Sequence, residues 1–153
     1  MKISEKIIKK SVRIKASAEI AWKTWTTHEG LKSFIGVEND IEIKIGGKFE
    51  IYFLMDNPLG VRGSEGCKVL SYLPKEMLSF SWNAPPQYKE VRESKYKAWV
   101  VVIFKSLEEN ETEVTLSHLG WPAEKKWEDV FNYFEKAWGH VFNDFERLFL
   151  DEK

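Results

Sequence analysis

"YFEKAWGHVFNDFERLF" (residues 133–149) decides how the rest of the chain must fold. Counted from Trp127, the large apolar residues fall at Phe131, Phe134, Trp138, Val141, Phe145 and Leu148, in steps of 4, 3, 4, 3, 4 and 3. That alternation marks one continuous apolar stripe on a helix, which we place at about 124–150. At about 100° per residue, His140 falls on the opposite side with Lys136, Asn143, Asp144 and Arg147, so it faces water. The helix therefore offers a greasy face rather than a reactive histidine, and that face needs something to cover.

Upstream, the sequence supplies the cover. "IIKKSVRIKA" (7–16) alternates through Ile8, Val12 and Ile14 and reads as a first strand, its lysines and Arg13 on the wet face. Ser17 is placed to cap a short helix over 18–26, with Ala18, Ala21, Trp22 and Trp25 on one side. Thr27 caps a second, carrying Leu31 and Phe34. From Asp40 the period becomes two: "DIEIKI" and "KFEIYFL" read as strands joined by a tight Gly46-Gly47 hairpin. After the turn-rich "MDNPLGVRGSEG" (55–66) come "CKVLSYL" and "MLSFSWNA", split by Pro74-Lys75-Glu76. The paired prolines of "NAPPQYKEVRESK" (83–95) hold that polar loop out of the sheet. "YKAWVVVIFKSL" and "TEVTLSHL" form a last hairpin, ended by Gly120, Trp121 and Pro122.

This order predicts an α+β fold. A curved antiparallel sheet of about six to seven strands wraps one long C-terminal helix, with two short helices after the first strand. The 153 residues read as a single domain over 1–153, able to bury about 68–70% of the unfolded surface. With 23 basic and 24 acidic residues, nothing points to nucleic acid. No apolar run is long enough for a membrane span or a signal peptide. Cys67 is the lone cysteine, which fits a reducing, cytoplasmic setting. Seven Trp and ten Phe require either a bulky core or an aromatic-lined cavity.

Five segments in order, "SAEIAWKTWT", "IKIGGKFEIYF", "EGCKVLSYLPKEMLSFSWNAPP", "TEVTLSHLGW" and "AWGHVFNDFERLF", resemble the SRPBCC superfamily, in particular its activator of heat-shock protein 90 ATPase homologue-like group. The resemblance covers about residues 8 to 150. It implies the START-like helix-grip fold, with a hydrophobic cavity between sheet and C-terminal helix. It does not imply one activity, because relatives include carriers, cyclases, hydrolases, hormone receptors and co-chaperone domains. Phe34 stands where many relatives carry Trp, a departure expected to alter the cavity mouth.

Few residues could carry chemistry. His118 shares strand parity with Val114 and Leu116, which puts it on the buried face as a core histidine bonded to backbone, a cavity-lining residue or a general base. The resemblance supports a histidine here, through Thr115, His118, Gly120 and Trp121. Glu50 alternates against Phe49 and Ile51 and faces water, while Glu65 sits in a glycine-flanked turn that leaves its direction open. No Ser-His-Asp set, Gly-x-Ser-x-Gly elbow, phosphate loop or metal-ligand spacing is present, so no catalytic residue, cofactor or metal is assigned. Phe53, Trp82, His118, Phe134, Trp138 and Val141 are the expected ligand-lining residues, while Arg62 in the turn-rich segment is read as a solvated arginine or, alternatively, as one that meets a ligand carboxylate at the mouth.

Three functions fit. The residues favour a binding module that holds a small apolar ligand in the cavity. The alternatives are a cyclase- or hydrolase-like enzyme with His118 as base, and a co-chaperone stimulating a partner ATPase. The expected partner is a small hydrophobic molecule, with a second copy of the chain or a chaperone as further candidates.

Overall fold

The computed structural model describes residues 1–150. It runs β1 (Ile8–Ile14), α1 (Ala18–Thr26), α2 (His28–Lys32), β2 (Glu38–Ile41), β3 (Phe49–Tyr52), β4 (Val69–Leu73), β5 (Met77–Ser81), α3 (Lys89–Glu93), β6 (Trp99–Glu108), β7 (Glu111–Leu119) and α4 (Glu128–Arg147). The strand alternation predicted for "TEVTLSHL" holds: Thr112, Val114, Leu116 and His118 are buried and their neighbours are not. Both predicted helix caps are in place. Ser17 Oγ accepts the Ile20 N–H at 3.2 Å, and Thr27 Oγ1 accepts that of Gly30 at 3.1 Å.

Five strands pair antiparallel in the order β1-β7-β6-β5-β4, and β2 and β3 form a separate two-stranded ladder. The two sheets are joined where the Phe49 N–H donates to Cys67 O and Lys48 bridges Lys68. Here the structure corrects the expected tight hairpin. The ladder stops at Ile41 and Phe49, leaving a longer link closed by the Glu42 N–H on Lys48 O. Gly46 and Gly47 instead exchange backbone bonds with Val69, which ties the hairpin to β4. A Cβ on Gly47 would lie 2.2 Å from Glu42 O, so the close approach requires glycine.

The C-terminal helix lies in the concave face, as expected, but its buried edge is Val130, Phe134, Trp138, Phe142 and Phe145. Phe142, outside the predicted stripe, is core, whereas Val141 is half-buried and Leu148 is exposed. The 83–95 segment is not simply a loop, since it contains the single turn of α3, with Val91 and Arg92 buried. Phe34 does not reach a cavity mouth. It packs between Trp25 and Phe145, with ring centroids at 4.9 and 5.0 Å, and closes the core beneath α1 and α2. Each ring buried in this way contributes about 1.5–3 kcal/mol.

Candidate functional site

One cavity of about 390 Å³ opens between α4 and the loops that follow β3 and β5. The helix supplies Tyr133, Phe134, Ala137, Trp138 and Val141, which recur at helical spacing along one flank. Opposite stand Phe53 and Leu54 beyond β3, Arg62 to Ser64 in the glycine-rich segment, and Trp82 to Gln87 beyond β5. Trp82 and Trp138 meet with ring centroids 5.3 Å apart, forming a continuous aromatic wall. Below them Phe49 and Phe80 stack at 4.1 Å, so the floor is solid core.

Of the six residues expected to line a pocket, Phe53, Trp82, Phe134, Trp138 and Val141 lie on this groove. His118 does not. It sits behind the wall, 1% exposed, with its ring 4.3 Å from that of Trp121 and 5.2 Å from that of Phe134. Its Nδ1 accepts the Trp138 Nε1–H at 3.0 Å, and its Nε2 has no partner among the described residues. Burial lowers its pKa from 6.5 to about 3, so the ring is neutral at physiological pH. A neutral imidazole has one lone pair, and here Trp138 occupies it, leaving the proton on Nε2. The ring adjoins only a void of about 10 Å³. His118 therefore has no free lone pair and no room for a substrate, which removes the geometry a general base needs.

The other reactive groups are equally out of reach. Cys67 is fully buried, and burial pushes its thiol up to about 12, far from a thiolate nucleophile. His140 is exposed on α4. His28 binds Asn39 Oδ1 through Nδ1 at 2.8 Å, away from the groove. Among the described residues no cluster of His, Cys, Asp or Glu could hold a metal ion, and no helix is long and apolar enough to cross a membrane.

The mouth is braced by a residue that the sequence did not flag. Arg92 of α3 is buried and donates to Gly60 O (2.8 Å), Gly63 O (2.8 Å), Ala84 O (2.6 Å) and Glu65 Oε1 (3.2 Å). It thereby ties both groove-forming loops to one guanidinium. Glu65 also accepts the backbone N–H groups of Arg62 (2.9 Å) and Gly63 (2.7 Å). Burial pushes the Glu65 carboxyl up, but those donors and the Arg92 charge outweigh it and hold the pKa below the ordinary value. Glu50, expected to face water, is half-buried and accepts the Tyr52 hydroxyl (2.6 Å) and the Gly66 N–H (3.0 Å).

The sheet thus grips one long helix, and the groove runs along that helix. The family model for activator of Hsp90 ATPase homologue 1-like proteins matches residues 15–149. The chain belongs to this family. Solved structures share its fold at low sequence identity. A protein from Mesorhizobium loti has a TM-score of 0.72 at 17% identity, over 94% of this chain and 96% of that one. An Hsp90 activator from Plasmodium falciparum gives 0.71 at 18%, over 93% and 94%. The Aha1 dimer from Colwellia psychrerythraea gives 0.66 at 22%, over 94% and 96%. No curated protein gives a significant match. The helix-grip architecture of this START-like family member is thus established.

Proposed function

We propose that this family member is a binding module whose groove holds a small apolar molecule. The observation that carries the reading is the cavity of about 390 Å³, walled by Phe53, Trp82, Phe134 and Trp138. This volume falls in the range of small-molecule sites, and its lining is mostly apolar with few polar groups. The reactive side chains nearby are either bonded or buried away, so binding rather than turnover is what these residues support. The buried, lone Cys67 fits a reducing compartment such as the cytoplasm.

Filling the groove tests the reading. Val141 is half-buried on its flank, so Val141→Trp should occupy the space while α4 stays folded. The probe is N-phenyl-1-naphthylamine, an uncharged dye that brightens in apolar surroundings. The wild type should take it up saturably, and the variant should lose it with an unchanged circular dichroism spectrum. Equal uptake by both proteins would place the dye elsewhere and reject the assignment.

A second reading is a co-chaperone acting on a partner ATPase. It rests on the family description and on the Plasmodium falciparum neighbour, described as an Hsp90 activator. Leu54 on the groove lining, 47% exposed, and the nearby Leu59, 84% exposed, would supply an apolar contact. Unaltered ATP hydrolysis by Hsp90 on adding this chain would reject that reading. A second copy is a further candidate partner, since the Colwellia psychrerythraea relative is described as a dimer.

A further inference from the structure

The groove's charge is one-sided. Arg62 is the one ionised side chain among its lining residues, and no Asp or Glu lines it. The carboxylate nearest in sequence, Glu65, is taken: its oxygens accept backbone N–H groups of Arg62 and Gly63, and its ion pair is with Arg92 at 3.2 Å. The Arg62 side chain forms no ion pair among the described residues. Its Nε donates to Asn57 O at 2.7 Å, and Asn57 Nδ2 in turn donates to Val61 O at 3.0 Å, so the loop itself fixes the guanidinium. Both terminal nitrogens are left without a hydrogen bond among the described residues. A half-buried, preorganised fork whose terminal nitrogens have no protein partner among the described residues, beside an aromatic wall, is the complement of a planar anion on an apolar body.

We propose that the ligand of the groove is an amphiphile with a carboxylate head, its apolar body against Trp82, Phe134 and Trp138 and its head on the Arg62 guanidinium. This rests on the reading of the groove as a binding site and adds the ligand's chemical class. An uncharged ligand could offer the Arg62 donors only neutral acceptors, without the charge-assisted, bidentate pairing of a carboxylate. A cationic one would meet a like charge with no acid on the lining to offset it.

Decanoate and decan-1-ol, which share a chain and differ in the head, are titrated as competitors of N-phenyl-1-naphthylamine at neutral pH. They are applied to the wild type, Arg62→Gln and Arg62→Lys. Hydrogen bonds to charged groups predict that Arg62→Gln weakens decanoate about tenfold or more. Decan-1-ol should stay within about twofold, showing that the groove survives. Arg62→Lys should recover part of the decanoate affinity, because it keeps the charge but not the fork. Decan-1-ol binding combined with decanoate affinity indifferent to Arg62→Gln would overturn the carboxylate proposal and leave the groove reading standing. Equal weakening of both ligands would also overturn it, since Arg62 would then be shaping the groove rather than reading the head. Failure of the dye and both competitors to bind the wild type would overturn the groove reading and this proposal together.

Discussion

Replacing His118 with Asn should flatten the acid sensitivity of the fold. In the wild type the imidazole is held neutral, with a pKa lowered from 6.5 to about 3 by burial, while the unfolded chain titrates near the ordinary value. As pH falls through 6.5 the unfolded state takes up a proton that the folded state refuses. Stability contributed by this site is therefore complete above pH 6.5 and is lost progressively toward pH 3. Between pH 7.5 and pH 5 the linkage amounts to about 2 kcal/mol. The amide introduced by His118→Asn offers an oxygen close to where Nδ1 accepts the Trp138 N–H, but it cannot titrate. The variant should be less stable at both pH values, yet lose about 2 kcal/mol less than the wild type on acidification. Urea denaturation midpoints at the two pH values, read by circular dichroism, give the difference. His28, His140 and the acids are common to both proteins and cancel. Parallel losses in the two proteins would show that His118 is not the buried neutral group described, and the argument against its acting as a base would fall with it.

Two further substitutions examine the walls and the brace. Trp138→Phe keeps an aromatic face on the groove but strips the donor from His118 Nδ1, leaving both ring nitrogens without a protein partner. It should cost about 2 kcal/mol in urea, and a loss below about 0.5 kcal/mol would deny that hydrogen bond a structural role. Arg92→Met removes four donated bonds and leaves Glu65 without its ion pair, a loss of about 3 kcal/mol. Amide exchange should accelerate in residues 60–66 and 83–93 before the sheet is affected. Uniform acceleration across the chain would mean that Arg92 supports the whole fold rather than the mouth.

Much of this architecture is legible in the sequence where the signal is local. Ser17 and Thr27 cap helices because a hydroxyl three residues before an unpaired N–H needs no tertiary help. The period-two strands and the Trp127-to-Leu148 stripe likewise fix sheet and helix. The stripe's exact edge was not legible. Alternating 4 and 3 steps average 3.5 residues per turn, whereas a straight helix turns at about 3.6, so the face drifts along its length. The drift brings Phe142 into the core and turns Val141 toward the groove. The same helix therefore supplies both core and wall, and sequence spacing could not separate them. His118 shows a different limit. Strand parity placed it on the buried face correctly, but only the packed structure reveals Trp138 on its lone pair. Arg92 gave no signal, because an arginine in a polar, proline-marked segment reads as solvated. Its burial depends on carbonyls from Gly60, Gly63 and Ala84, brought together only by the fold.

The binding proposed for the groove along α4 is open to a direct test on protein taken from cells. The most direct measurement is organic extraction of the purified, denatured protein followed by mass spectrometry, run on the wild type and on Val141→Trp side by side. An apolar compound near one-to-one stoichiometry is expected in the wild-type extract, and its loss from the variant. Extracts that do not differ would contradict the proposed binding.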